Sequence, residues 1–259
     1  MHRDQPARVH RRGPGRARRP RTRSAASDQP GPRRRSPVSD RVWPVDLEAA
    51  LPGGGRVALR AMRGRDRAEY LAVKARNRDW LRPWDPTNPD GIATTVTYRR
   101  MLRDQRAAAR AGTAYSFAIT LDGSFAGQLQ LANVARGAFR SCTMGYWVGR
   151  EFAGRGVAPV AVALAADHAL GPIRLHRVQI DVRPENAASL AVVRKLGMRD
   201  EGLRLNYLHI DGAWRDHRTF AVTREDLGSG GLLDRVLANL GRHIGDTPAQ
   251  VPGEAGGRQ

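Results

Sequence analysis

The sequence predicts an α/β or α+β layered fold, and three observations carry that expectation. Short alternating runs flank the tight-turn dipeptides Asp122-Gly123 and Asp211-Gly212, a strong hairpin signal. Stretches with helical spacing interrupt these runs, so strands and helices share one chain. Residues 144–166 read as a strand, a glycine-rich turn and a buried helix. Strands and helices interleaved in this way pack as layers around a sheet.

The elements follow in order. Gly53-Gly-Gly55 is a turn, and residues 56–62 alternate as a first strand. Helical spacing runs over 66–80 and ends at Leu81-Arg-Pro-Trp-Asp-Pro86, because two prolines forbid continued helix. Residues 96–111 form a second helix rich in Ala and Arg. Strands are expected at 115–121, 125–133 and 140–148. The glycine turn and a helix to about residue 170 come next. Residues 177–182 read as a strand, and 186–196 as a helix stopped by Gly197, a natural residue just past a helix end. The hairpin 198–210 and 213–223 closes the pattern, with a short helix at 232–240 after it. No internal repeat is visible.

A chain of 259 residues can build one sizeable core. A lone cysteine, Cys142, excludes an internal disulfide and a multi-cysteine metal site, and no metal is expected. The longest apolar run, 157–166, is shorter than the roughly 20 residues a membrane span takes. The first residues lack the apolar core of a signal peptide, and a cytoplasmic location is expected. The net charge is +19, and residues 1–41 carry more than half of it, with 13 Arg against 3 Asp. That segment has too few apolar residues to fold. It reads either as an arm for RNA, the ribosome or another polyanion, or as passive translated upstream sequence. The second reading draws on Lys74 and Lys195 being the only lysines beside 42 arginines, a sign of GC-rich codons. The expected organisation is therefore a tail over 1–41, a catalytic domain over 42–227, and a short helix with a second tail over 228–259.

The turn at 153–158 holds the chemistry. A strand–turn–helix presents bare backbone N–H groups at the positive end of a helix dipole, which suits a phosphate. There is no Gly-Lys-Ser/Thr ending for a P-loop and no GxGxxG for a dinucleotide turn. What remains is Gly154-x-Gly156-x-Ala158, suited to a diphosphate. Ala153-Gly-Arg-Gly-Val-Ala158 resembles the Q/R-x-x-G-x-G/A loop of the GNAT N-acetyltransferases. Asn186-Ala-Ala-Ser189, followed by Lys195-Leu-Gly-Met198, is similar to the family's next motif. Tyr207-Leu-His-Ile-Asp-Gly-Ala-Trp-Arg-Asp-His217 is similar to a third. Together these resemble the RimJ/RimL branch, the ribosomal-protein-alanine N-acetyltransferases, over residues 57–223. Ala153 departs from the Gln/Arg of the loop, which removes a side-chain contact and leaves the backbone donors.

The resemblance implies a GNAT fold: a central mixed, mostly antiparallel twisted sheet of about seven strands with helices on both faces. It implies acetyl-CoA as cosubstrate and direct attack by an amine in a ternary complex. The pyrophosphate would meet the turn at Gly154, Arg155, Gly156, Val157 and Ala158. The pantetheine arm would lie between splayed strands, near Tyr146, Trp147, Val148 and Asn186, with a backbone N–H at Val148 or Gly149 facing the thioester oxygen. Ser189 would protonate the departing thiolate, since Val193 stands where other members carry tyrosine. Leu208 occupies the position of the branch's glutamate base, so no base carries over. His209, Asp216 and His217 are candidates in its stead, and Tyr207 is a candidate for meeting the acceptor. Trp84 and Asn133 are placed with Asp216 on the acceptor side. Each has an ordinary structural reading as well, such as a helix cap for Asn186 and core packing for Trp84.

The favoured acceptor is a protein N-terminal α-amine of ribosomal-protein type, by a monomer or homodimer that contacts no membrane. Two alternatives stand beside it. One is an acyltransferase of the same fold using a small-molecule amine or another acyl-CoA. The other is an RNA- or polyanion-binding protein with an inactive GNAT domain.

Overall fold

The computed structural model describes residues 42–91, 96–228 and 230–245, and the expectations for residues 1–41 and for the chain after 245 lie outside these. The strands are β1 Leu47–Ala50, β2 Arg56–Ala61, β3 Tyr115–Leu121, β4 Ser124–Ala132, β5 Ser141–Val148, β6 Arg177–Val182, β7 Arg199–Ile210 and β8 Ala213–Thr223. The helices are α1 Arg67–Arg76, α2 Arg78–Leu81, α3 Tyr98–Ala111, α4 Val157–Leu170, α5 Ala187–Lys195 and α6 Gly231–Gly245. One sheet contains all eight strands in the order β1-β2-β3-β4-β5-β6-β8-β7. Every neighbouring pair is antiparallel except β5 with β6.

Side-chain alternation along β3 sets the layers. Tyr115, Phe117, Ile119 and Leu121 enter the larger core, which α4 fills from one face. Ala118 turns to the other face, into a smaller core with Met62, Val73, Tyr98, Leu102 and Phe125 under α1 and α3. In α4, Ala158 and Asp167 alone escape full burial. A helix apolar all round must be covered all round. The sheet covers one side of α4, and α6 covers another through Leu232 and Val236, both fully buried.

The mixed, mostly antiparallel layered sheet is as expected, and three details differ. About seven strands become eight, because Leu47–Ala50 pairs with β2. Four residues of Leu-Glu-Ala-Ala carry neither β-branching nor clear alternation, so the strand exists only through its partner. The helix expected over 66–80 breaks at Asn77, whose side chain bonds the Val73 carbonyl and two groups, on Arg150 and Glu151, just ahead of the glycine turn. A side chain that competes for backbone in this way ends helices. The terminal helix expected over 232–240, outside the catalytic domain, spans Gly231–Gly245 and joins the domain's core. Asp167 on α4 anchors its start, accepting from the Leu232 and Leu233 N–H groups at 2.8 and 2.9 Å.

Among the described residues no helix is long and apolar enough to cross a membrane.

Two outcomes test this packing. Leu232→Ala should cost about 2–5 kcal/mol in urea unfolding, as for other buried leucines. His168 is buried, packs edge-on to Phe117, and donates from Nε2 to the Val42 carbonyl at 3.0 Å. Burial holds its pKa below the ordinary 6.5, with the Val42 bond opposing part of the shift. The unfolded chain therefore binds the proton more tightly, and stability should drop as pH falls below 6.5. Urea midpoints of His168→Gln measured over the same range should fall less steeply than those of the wild type.

Candidate active site

The site starts from a mismatch between two parallel strands. β5 and β6 pair only at Ser141↔Arg177, Cys142↔Val178 and Thr143↔Gln179. Beyond Thr143, β5 stays with β4 as far as Gly127↔Val148 and leaves β6. The β5 backbone from Met144 onward therefore turns one edge to open space. A cavity of about 810 Å3 fills this gap.

Backbone alternation decides which donors face it. Gly149 N–H donates to the Ala126 carbonyl on β4 at 2.9 Å, so it is not free for a ligand. Successive N–H groups in a strand point to opposite sides, so the Val148 N–H points into the gap. Gly127 makes the tight β4–β5 contact here possible. A Cβ on it would sit 2.1 Å from the Trp147 carbonyl oxygen.

After Val148 the chain makes one short 3-10 turn, Arg150–Phe152, and then the glycine turn. Gly154 and Gly156 have φ of +76° and +80°, a region side-chain-bearing residues rarely adopt. A Cβ on Gly156 would also press on Leu240 at 3.1 Å and Leu51 at 3.3 Å. α4 starts at Val157, and its first N–H groups have no partner within the helix. They face the cavity at the positive end of a buried helix dipole. Asn77 ties the turn to α1. Its Oδ1 accepts from Arg150 N–H at 2.8 Å, and its Nδ2 donates to Glu151 at 3.0 Å.

The opposite wall is β6 and α5. Asn186 caps α5 and accepts from Ser189 N–H at 3.0 Å, which turns Ser189 to the cavity. Val193 is fully buried in the core and presents no hydroxyl. Tyr146 brings one across from β5: its hydroxyl is fully enclosed and has no hydrogen-bond partner of ordinary geometry among the described residues. Burial pushes the phenol up to about 12, with the neighbouring Ser189 hydroxyl opposing part of the rise. At neutral pH the phenol keeps its proton and can donate it in a hydrogen bond.

The mouth is closed by Trp84, Asp85 and Pro86 after α2, and by Leu208, Ile210 and His217 of the last hairpin. Arg183 clamps this loop. It donates to the Pro83 carbonyl at 2.8 Å and lies over the Trp84 ring at 5.4 Å. His217 is buried and lines the cavity, and Nδ1 donates to the Arg215 carbonyl at 3.0 Å, leaving Nε2 as the acceptor nitrogen.

The structure brings most of the sequence-derived residues together. Trp84, Tyr146, Trp147, Val148, Gly154, Gly156, Val157, Ala158, Asn186 and Ser189 all line the cavity. Five residues fall outside its lining. Arg155 is exposed and is not part of the lining. Asn133 sits at the far end of β4, donating to Thr143. Asp216 accepts from Asn206 N–H at 2.7 Å on the exposed hairpin. Tyr207 lies behind the wall and donates to Asp181 at 3.3 Å. His209, expected to face the cleft, turns to Thr87, donating from Nδ1 to its carbonyl at 3.1 Å. His209 thus fastens the hairpin to the Pro86 loop.

Sequence reasoning missed Asp181, Gln128 and Gln130, which all line the cavity. Asp181 accepts from Thr219 at 2.7 Å and from Gln179 at 2.9 Å, and Arg204 lies 3.8 Å away. The signal was polar residues at 179 and 181 alternating with the apolar residues of β6.

This geometry suits an extended thioester of a nucleotide: free N–H groups for a diphosphate, an open strand edge for an amide-bearing arm, and an unpartnered hydroxyl at the far wall. The comparisons agree. Residues 56–199 match the description of a GNAT acetyltransferase domain, and the chain belongs to that family. A Mycobacterium smegmatis RimJ structure, in complex with CoA-disulfide, is 38% identical with a TM-score of 0.71, covering 76% of this chain and 96% of that one. An Escherichia coli [ribosomal protein uS5]-alanine N-acetyltransferase is 29% identical over 66% of this chain and 89% of its own. A Vibrio fischeri ribosomal-protein-S5-alanine acetyltransferase structure is 25% identical, with a TM-score of 0.62, covering 70% and 98%. Within the family the chain is of the RimJ/RimL type, an acetyl-CoA-dependent N-acetyltransferase.

Asn77→Ala should weaken CoA binding in calorimetry while the protein stays folded. It strips the side-chain partner from Arg150 N–H, and a polar group left unsatisfied costs about 1–3 kcal/mol, while Glu151 keeps Arg76 at 2.7 Å.

Proposed function

We propose that this enzyme acetylates a protein N-terminal α-amine of ribosomal-protein type, in the cytoplasm, by direct attack in a ternary complex. The observation that carries the reading is the open edge of β5 leading straight to the free N–H groups at the start of α4. Two of the relatives named above are called ribosomal-protein-alanine acetyltransferases, which supports this acceptor.

Acetyl-CoA would supply the acetyl group as a thioester. The Gly154–Gly156 turn and the Val157 and Ala158 N–H groups would hold its diphosphate, with Arg155 on the solvent side. The Val148 N–H orients and polarises the carbonyl that bonds to it. Asn186 fixes the start of α5, and with it the Ser189 hydroxyl. Ser189 holds a proton for the leaving sulfur, and Tyr146, protonated at neutral pH, supports that donor. His217 Nε2 takes the proton lost by the amine, and Asp181 sets negative charge on the wall the ammonium approaches. Trp84, held by Arg183, forms the side against which the acceptor packs.

An α-amine titrates near ~8 and a lysine near ~10.4, so removing the lysine proton costs roughly 3 kcal/mol more. A histidine base in place of a glutamate suits the α-amine, the less basic of the two.

Calorimetry with acetyl-CoA, followed by turnover assays on N-terminal peptides, tests the reading. Gly156→Pro should abolish binding, since it distorts the turn. Ser189→Ala should bind normally and lose about 100-fold or more in kcat. Unchanged kcat in Ser189→Ala would remove that residue from the proton path. Peptides with blocked N-termini but free lysines reacting as fast as unblocked ones would overturn the α-amine reading.

A further inference from the structure

A second cavity, of about 910 Å3, lies at the other end of the sheet. Residues 42–46, the end of β2, one face of α3 and the start of β3 enclose it. The strand register places it. β3 begins beside Leu131 and ends beside Ser124, whereas the glycine turn leaves the sheet beside Gly127. The linings of the two cavities share no residue, although Gln130 of the first stands across the β3–β4 pair from Ser116 of the second.

Two buried polar atoms mark it as more than a packing gap. Ser116 is 3% exposed, and its hydroxyl has no hydrogen-bond partner. Gln105 Oε1, on α3, is enclosed and equally without one. Both residues line the cavity. Buried hydroxyl and amide oxygens are nearly always bonded, so two orphans facing one space call for a missing partner. Gln105 Oε1 can only accept, so that partner carries a donor.

The charge around the cavity is strongly positive. Arg63, Arg106, Arg110 and Arg136 line it against the single carboxylate of Asp46. Arg63 lies 3.7 Å from Asp46, and Arg136 donates to the Ile173 carbonyl at 2.8 Å. Arg106 and Arg110 stand one turn apart on α3, exposed at the rim, and form no ion pair among the described residues. Trp43 contributes an aromatic wall and packs on Tyr115 and Phe117. Guanidinium pairs of this kind favour carboxylate and phosphate oxygens.

We propose that this cavity binds a small organic anion, with its phosphate or carboxylate at Arg106 and Arg110 and a hydrogen-bond donor directed at Gln105 and Ser116. Trp43 accepts the apolar or aromatic part of the molecule.

The test is calorimetry on the full chain with CoA at saturation, so that the transfer site is blocked. AMP serves as an aromatic phosphate with an amine donor, and citrate as an aliphatic polycarboxylate. Binding of either at sub-millimolar concentration is expected, AMP alone pointing to a phosphate ligand and citrate alone to a carboxylate. The double variant Arg106→Glu/Arg110→Glu should weaken it at least about tenfold and leave CoA binding unchanged. Ser116→Ala, which removes the orphan hydroxyl and adds no bulk, should weaken it several-fold. Silence from both probes at millimolar concentration overturns the proposal. Equal binding by wild type and the double variant also overturns it, because the anion then sits on other basic groups.

Discussion

The whole site depends on β5 and β6 parting after three paired residues. A parallel pair carried through to Val148 would satisfy the β5 backbone internally and leave no cavity. The parting needs support from both sides. On one side Gly127 lets β4 approach the Trp147 carbonyl, so β5 loses none of its bonding there. On the other, β6 is held by β8 along its full length, from Arg177↔Thr223 to Val182↔Arg218. Each strand is thus fully engaged with its outer neighbour, and the gap between them costs little. The polar face of β6 then finds its own partners, with Gln179 and Thr219 both donating to Asp181.

The two walls differ in how they are made. The wall proposed for the cofactor is backbone: N–H groups, glycines at positive φ and a helix end. Such a wall tolerates changes like Ala at position 153, because the donors remain. The wall proposed for the acceptor is side chains brought by separate elements, Trp84 by the α2 loop, His217 by β8 and Asp181 by β6. That wall is held by cross-links at its back, Arg183 to Pro83 and His209 to Thr87. A backbone wall suits a cosubstrate shared across a family, and a side-chain wall suits an acceptor that varies.

What was legible in the sequence follows the same division. The glycine turn, the Asn186 cap and Ser189 have fixed local spacing, and they line the cavity together. The hairpins around Asp122-Gly123 and Asp211-Gly212 were legible because turn chemistry is local. Strand β1 was not, since its four residues are strand only by pairing with β2. Asn77 reads as an ordinary helix residue until Glu151 and Arg150 come beside it. His209 and His217 cannot be told apart by sequence, because bulges in the β7–β8 register shift which residues face the cleft. Asn133 misled for another reason. It ends β4 in a left-handed conformation, φ +51°, a turn role that its polarity did not reveal.

Gly156 meets Leu51 from just after β1 and Leu240 from α6. These two leucines come from opposite ends of the described chain, more than 180 residues apart in sequence. The glycine turn is therefore the place where the fold closes on itself. A ligand that grips the turn draws on the docking of both ends, so occupancy should raise the cooperativity of the whole domain rather than stiffen one loop. The same linkage runs backward. Fraying of α6, far from any reacting atom, would be felt first as a looser hold on the donor.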